Sequence, residues 1–497
     1  MTDAEAYDDV RFLSAVELLR RYRLRELSPV HVVEAVLAHI EAVNPSIQAY
    51  ITVTAEIARE RARMAERAFA AGEYAGLPLL GVPISIKDLT PTKGILTTNG
   101  SLLSKDWIPD ADPVVVQRIY EAGAVILGKT NVPEYGWKGD TTNRIIGSSH
   151  NPWRHGLTTG GSSGGAAAAV AVGMGPLALG SDGAGSIRIP SSMCGVFGLK
   201  PTYGTVPAGG PSMERVSQLG PITRTVHDAA LLLGVIAGRD DRDPDSWPSL
   251  GTQYAERIDG GVRGLRVAWS PNLGYAAVDA EVAALVAEAV SVFAGLGCDV
   301  DEVDAPFEDP CGLFEVMSAT AEAAEFGTPE RLADVRKLLD QGRLRHIESG
   351  WTFSGVDVAV ANTKRADLYL RMHDLMATYD ILLTPTVPVK QFPAGANYPP
   401  HLPGGATDAL CWPRFTYPFN LTGQPAASIP CGFTADGLPV GLQIVGRWRE
   451  DSVVLRAARA FEVARPWVPR RPQCAGGGDG SSHSVSGRGI EATNRAV

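Results

Sequence analysis

From His155 to Ser181 the chain carries no Asp, Glu, Lys or Arg, and the stretch is dominated by Gly, Ala, Ser and Thr. An uncharged segment of that length belongs either in a bilayer or deep inside a large soluble fold. A membrane span needs ~20 strongly apolar residues. Here glycines and hydroxyl side chains dilute the apolar content and Pro176 interrupts it, so the bilayer reading fails. What remains is a soluble interior in which backbone and very small side chains approach one another closely, enclosed by a long chain. At 497 residues, with 45% hydrophobic and 20% charged side chains, this chain has the length and balance to build such an interior without staples.

The flanks show how that interior is layered. Val32, Val33, Val36, Leu37, Ile40 and Val43 follow helical spacing, with Asn44-Pro45 predicted to end the helix. Ala55 to Ala71 reads as a charged, Ala-rich helix, whereas Val82, Ile84 and Ile86 alternate as a strand that ends at Lys87. A helix over Pro113 to Gly123 and a short buried strand at Val125-Ile126-Leu127 continue the pattern. Such alternation specifies an α/β fold. Long helical patterns dominate from 239 to 380, and strands return at Ile381-Leu382-Leu383 and at Leu442 to Val445. The expected organisation is one large α/β unit. It comprises a helical segment 1–75 packed on the core, a core over 76–238, a mainly helical insertion at 239–380, the rest of the same core at 381–470, and a Gly/Ser-rich tail, 471–497, predicted to be disordered.

A net charge of −10 with no long Lys/Arg run excludes nucleic acid and anionic membrane as direct partners. The acidic, polar start Met1 to Glu5 does not read as a signal peptide, so a cytoplasmic protein is expected. Cys194, Cys298, Cys311, Cys411, Cys431 and Cys474 contain no Cys-x-x-Cys pair and read as reduced thiols, neither a disulfide framework nor a zinc site. No dinucleotide fingerprint or metal-ligand cluster is visible, and no cofactor or metal is expected. His155, His227 and His373 are read as surface or packing residues.

Three glycine-rich motifs compete for the chemistry. Gly123 to Thr130 satisfies the phosphate-loop pattern, but its central residues are apolar and form the strand itself. That leaves no loop of N–H groups to cradle a phosphate, and Lys129 is expected to be solvated at the strand's end. Gly161-Ser162-Ser163-Gly164-Gly165 contains the nucleophile-elbow pattern. An elbow needs a buried strand directly before it, and Trp153 to Thr159 reads as loop; Asp228 and His373 are candidate partners that nothing ties to the serine. In Gly180 to Pro190, Ser186 follows several residues with little or no side chain, so successive backbone N–H groups can converge on one developing oxyanion.

Lys87 closes the motif Gly81-Val82-Pro83-Ile84-Ser85-Ile86-Lys87-Asp88; Ser162 lies 75 residues further on and Ser186 another 24. Together with Asn131 to Gly136, His150-Asn151-Pro152-Trp153, Cys194 to Thr202 and Gly437 to Gln443, these motifs make the chain resemble the amidase signature family from about Glu34 to Glu462. The resemblance implies a central mixed β-sheet flanked by helices on both faces. It also implies a Ser–Ser–Lys triad, with Ser186 as nucleophile, Ser162 as bridging serine after a cis peptide bond from Gly161, and Lys87 as base. The backbone N–H groups of Gly183, Ala184, Gly185 and Ser186 would then form the oxyanion hole, with alanine at position 184 where relatives commonly have glycine. Asp182 and Arg188 would support that loop, and Gly136 would leave room beside the nucleophile, between Tyr135 and Trp137.

The chemistry suits these residue types. A serine hydroxyl needs an adjacent base, and lysine can be one only when neutral. Burial at the end of an apolar strand favours the neutral form, while strand alternation turns Asp88 to the other face. The expected activity is cleavage of hydrophobic or aryl amides and anilides, with carbamates as related substrates. Specificity is expected from the 239–380 insertion and from loops around Gly136, Pro207–Gln218 and Trp412–Tyr417. The alternative within the family is the glutaminase subunit of a tRNA-dependent amidotransferase; an α/β-hydrolase-type esterase is a further one. A small amide is the expected partner, and a homodimer is an open option.

Overall fold

The computed structural model describes residues 10–208, 215–250, 253–404 and 410–472. The predicted tail therefore lies outside the described residues, apart from Arg471 and Pro472. One eleven-stranded mixed sheet organises the chain. In chain order its strands are β1 (Tyr50–Val53), β2 (Pro83–Lys87), β3 (Val125–Thr130), β4 (Leu177–Asp182), β5 (Phe197–Lys200), β6 (Gln218–Thr223), β7 (Arg266–Trp269), β8 (Asp299–Glu302), β9 (Ile381–Pro385), β10 (Ala426–Phe433) and β11 (Pro439–Gly446). Their spatial order is β1-β3-β2-β4-β6-β5-β10-β11-β9-β7-β8.

Helices cover both faces, and the strands show it residue by residue. Ile126, Leu177 and Leu179 join the core formed with helices Val114–Glu121, Val226–Ile236 and Asp451–Ala464. Val125, Leu127 and Ala178 turn to the other face, against helices Pro29–Ile47, Ala55–Ala71 and Gly164–Ala171. Alternating side chains that are buried on both faces read as continuous apolar runs, the mark of a sheet sandwiched between helices.

Three local expectations are corrected. The helix beginning at Pro29 runs through Pro45 to Ile47 and ends at left-handed Gln48. A proline this close to the end removes a single ladder bond, so the Asn44-Pro45 pair does not stop the helix. Arg154–Thr158 is a strand, paired with His150–Asn151 in a separate two-stranded ribbon. It is largely exposed, so the buried strand that an elbow requires is still missing before Gly161. Lys129 is fully buried, its Nζ bonded to the Thr90 carbonyl and the Thr92 and Thr97 hydroxyls and 3.8 Å from Asp88.

Residues 239–380 contain mostly helices, among them Ala280–Gly295, Cys311–Phe326, Gln341–Gly350 and Gly355–Thr378. They also donate β7 and β8, which extend the common sheet at one edge. Likewise β1, from within the first 75 residues, forms the opposite edge. No helix among the described residues is long and apolar enough to cross a membrane.

Candidate active site

The parallel trio β3-β2-β4 positions the site. Ile86 is registered with Leu179, so β2 and β4 end on the same edge of the sheet, where open α/β sheets place ligands. Lys87 is the last residue of β2, and the loop from Gly183 to Ile187 leaves the end of β4 before helix Arg188–Cys194 begins. The helix Gly164–Ala171 leads back into β4, so its N-terminal turn, carrying Ser162 and Ser163, returns to that same edge. Lys87, Ser162 and Ser186 are thus gathered from three separate segments. The peptide bond between Gly161 and Ser162 is cis.

Lys87 is wholly buried, and its Nζ lies 2.7 Å from Ser162 Oγ, 2.9 Å from Ser181 Oγ and 3.2 Å from the Ser181 carbonyl. Burial pulls its pKa down to about 7, although the Asp182 carboxylate works in the opposite direction. Asp88 is turned away as strand alternation predicts: it accepts from the Thr98 N–H and hydroxyl. Ser181 is the contact that sequence reasoning missed, because nothing in the Gly180-Ser181-Asp182 text separates a lysine-holding hydroxyl from a turn residue.

The loop carrying Ser186 is braced from beneath. Asp182 accepts from the Gly185 and Ile187 N–H groups and pairs with the Arg188 guanidinium at 2.8 Å, both side chains fully buried. Burial alone would raise the Asp182 carboxyl, but the Arg188 charge and hydrogen bonds hold it below the ordinary carboxylate range. Arg188 is fixed in turn by the Thr416 carbonyl, Gln443 and Asn420. Gly185 sits at φ +120°, with Thr416 packed where a side chain would start, so glycine is required there. Its N–H is committed to Asp182 Oδ1 at 2.7 Å, which takes it out of the expected set of four free donors. Gly183, Ala184 and Ser186 border the cavity.

That cavity, about 240 Å³, also reaches Ser162, Gly136, Trp137, Val216 and Pro413. Gly136 sits at φ +78°, and a Cβ there would lie 2.8 Å from Leu89 Cδ1 and 3.1 Å from Ser162 Oγ. It therefore leaves room for Ser162 itself and not merely for substrate. The 239–380 segment does reach the site, through Phe314, Ser318, Glu322 and Glu325 on one helix and Arg343 and His346 on another. Sequence reasoning missed this charged group, because its members are spread over two helices that meet only in the fold.

Of the histidines, His155 is exposed and stacks on His150, His227 pairs with Asp259 at 3.3 Å, and His373 is exposed. Asp228 is spent on the Ala15 and Val16 N–H groups. The cysteine expectation fails at one pair. Cys311 and Cys411, with Cα atoms 5.6 Å apart, form a disulfide, while Cys194, Cys298 and Cys431 are free and buried. Sequence could not pair them, since they stand 100 residues apart and meet only through the fold. Cys474 lies outside the described residues. Among the described residues no group of three or more His, Cys, Asp or Glu is arranged to hold a metal ion.

The amidase family model matches residues 31–455. An acylamidase from Rhodococcus erythropolis is 43% identical over 93% of this chain and 98% of its own length. A glutamyl-tRNA(Gln) amidotransferase subunit from Picosynechococcus is 35% identical over 93% of this chain and 100% of its own. Among solved structures, a bacterial aryl acylamidase of the amidase signature family superposes with a TM-score of 0.86 at 32% identity, covering 93% of this chain and 98% of that one. A 6-aminohexanoate cyclic dimer hydrolase gives 0.83 at 32% identity, covering 93% and 99%. The chain belongs to the amidase signature family, and it is an amide-hydrolysing enzyme.

Proposed function

We propose that the enzyme cleaves neutral hydrophobic or aryl amides through a covalent acyl-serine, with Ser186 as nucleophile, Ser162 as proton relay and Lys87 as base. The observation that carries this reading is the buried 2.7 Å link from Lys87 Nζ to Ser162 Oγ, on a cavity that Ser186 shares. A lysine with pKa about 7 is substantially neutral at physiological pH. Ser186 Oγ attacks the amide carbon while its proton passes to Ser162 and the Ser162 proton passes to Lys87. The carbonyl oxygen becomes an oxyanion that accepts from the N–H groups of Gly183, Ala184 and Ser186. The C–N bond then breaks, the amine leaves with the proton returned through the same relay, and water cleaves the acyl-serine by the reverse path. A carbamate carbonyl would follow the same course.

Ser163 is a poor rival nucleophile: it is fully buried, and its Oγ lies 3.2 Å from the Ser181 carbonyl. The reading of an amidotransferase component has a specific support, full-length identity of 35% to such proteins. The 43% identity to an acylamidase favours a stand-alone amidase. The test is kcat/KM for an anilide, an aryl carbamate and glutamine with the purified protein alone, together with peptide mapping of a quenched reaction. The anilide should win, and the acyl adduct should map to Ser186. Glutamine winning would overturn the stand-alone reading, and an adduct on Ser163 would overturn the nucleophile.

A further inference from the structure

Arg343 is 1% exposed, yet it borders the cavity that holds Ser162 and Ser186. Its Nε meets Glu322 Oε2 at 3.0 Å and its Nη2 meets Glu325 Oε2 at 3.3 Å. Its guanidinium stands 4.2 Å from the centre of the Tyr135 ring. Nη1, by contrast, has no hydrogen-bond partner among the described residues. A buried guanidinium N–H left without an acceptor is costly, and native structures keep such groups where a ligand or an ordered water completes them. Glu322 is pushed up to about 7 by burial, opposed by Arg343 and reinforced by Glu325 and Glu134, while the Glu325 side chain itself is 62% exposed.

We propose that Arg343, clamped by Glu322 and Glu325, is the substrate-selecting end of the cavity and donates through Nη1 to an uncharged hydrogen-bond acceptor that the amide carries away from its scissile bond. The proposal rests on the hydrolytic reading above and deepens it. Charge decides the ligand class. A carboxylate reaching Nη1 would meet Glu322 and Glu325, and an ammonium would meet the guanidinium. A ketone, ether or second amide oxygen conflicts with neither. Because the clamp fixes the guanidinium in advance, the new hydrogen bond needs little further ordering. A site built to complete a buried donor discriminates strongly against ligands that leave it unpaired.

The test uses size-matched anilides whose distal group is a methyl, a neutral carboxamide, a carboxylate or a trimethylammonium, placed on the acyl side in one set and on the arylamine in the other. Two readouts apply: kcat/KM with the wild-type enzyme, and calorimetric binding to Ser186→Ala protein, which needs no turnover. In one of the sets the carboxamide should exceed the methyl compound by roughly tenfold, as a charge-assisted hydrogen bond allows. That ratio should collapse toward one in Arg343→Met/Glu322→Gln, which removes donor and counter-charge together. Should that variant fail to fold, Arg343→Lys keeps a cation beside Glu322 and should lose most of the ratio. A carboxylate or ammonium compound binding best, a wild-type ratio of one in both sets, or a ratio unmoved by the substitutions would each overturn the inference. Turnover without the ratio sinks this proposal and leaves the hydrolytic reading standing; the ratio in binding without turnover does the reverse.

Discussion

The cavity has two unlike sides. Its floor comes from the ends of β2 and β4 and is made of backbone, glycines and serines, backed by the buried Lys87 behind Ser162 and braced by the Asp182–Arg188 pair. Its wall comes from helices Cys311–Phe326 and Gln341–Gly350 and is made of long side chains, aromatic and charged. Every amide presents the same carbonyl, so the floor can be rigid and indifferent to the rest of the substrate. The wall meets what differs between substrates. A site divided this way predicts that damage to the floor lowers all rates alike, whereas damage to the wall changes their ratios.

The largest expected effects lie in the floor. Ser186→Ala should lower kcat by about ten-thousandfold for every substrate, and Ser162→Ala and Lys87→Ala by about a thousandfold each. In the proposed relay the three act as one proton-transfer unit, so a triple variant should be little worse than Ser186→Ala. Steady-state assays on two amides of different size check both points, and a tenth of the activity surviving in Ser186→Ala would remove it as nucleophile.

Gly136 tests where floor ends and wall begins. It lies among loop residues suited to shaping a pocket, but its backbone is packed onto Ser162 and its φ is positive. Gly136→Leu should therefore cost about a hundredfold on small and bulky amides alike, by displacing the bridging serine. A loss confined to the bulkiest substrates would place Gly136 in the wall.

Two buried lysines sharpen the comparison further. Burial depresses both Lys87, to about 7, and Lys129, to about 8, although carboxylates pull each the other way. Only Lys87 meets a cavity serine; Lys129 is enclosed by Thr90, Thr92, Thr97 and Asp88. The proposed base, Lys87, must be neutral to act, and its neutral fraction grows as pH rises through its pKa. The profile of kcat/KM should thus climb through about pH 7 to an alkaline plateau. Lys129→Met should lower the melting temperature yet leave the midpoint of that limb within a few tenths of a pH unit. A limb that moved with Lys129 would mean that the depressed pKa, and not the contact with Ser162, had been mistaken for the mark of the base.

The same division explains how much could be read from the sequence. The floor is local text: strand-ending Lys87, the run around Ser162 and the small residues before Ser186 each stand in a few consecutive positions, and the apolar alternation of β2 places the lysine at a strand end. The wall is assembled from positions far apart. Phe314, Glu322 and Arg343 share a cavity only because two helices of the 239–380 segment pack together, and on each helix they follow the spacing of an ordinary surface. Lys129 escapes the sequence for a related reason, since a lysine at the end of a strand reads as solvated until the threonines that enclose it are in place. Gly185 shows the limit within the floor itself: small residues predict free N–H groups, but not that a neighbouring carboxylate takes one of them.

The smallest expected effect on catalysis belongs to the Cys311–Cys411 disulfide. It ties the head of the helix carrying Phe314 and Glu322 to the loop segment of Leu410 and Pro413, all of which border the cavity. Ala184 of the Ser186 loop packs on the same apolar cluster as the two cysteines. Reducing it, or replacing both cysteines with serine, should leave kcat on the smallest anilide within about twofold, because Lys87, Ser162 and Ser186 keep their supports. The ratio between bulky and small substrates should shift by about threefold as the wall loosens. Stability should fall more noticeably, since a cross-link closing a loop of 100 residues contributes up to ~4.7 kcal/mol in the chain-entropy account. The assay pairs reductant titration with a count of alkylated thiols by mass, so that opening of this bond is followed directly while Cys194, Cys298 and Cys431 remain buried. Equal loss of kcat on all substrates at the point where the bond opens would show that wall and floor move together, and the division between them would have to be given up.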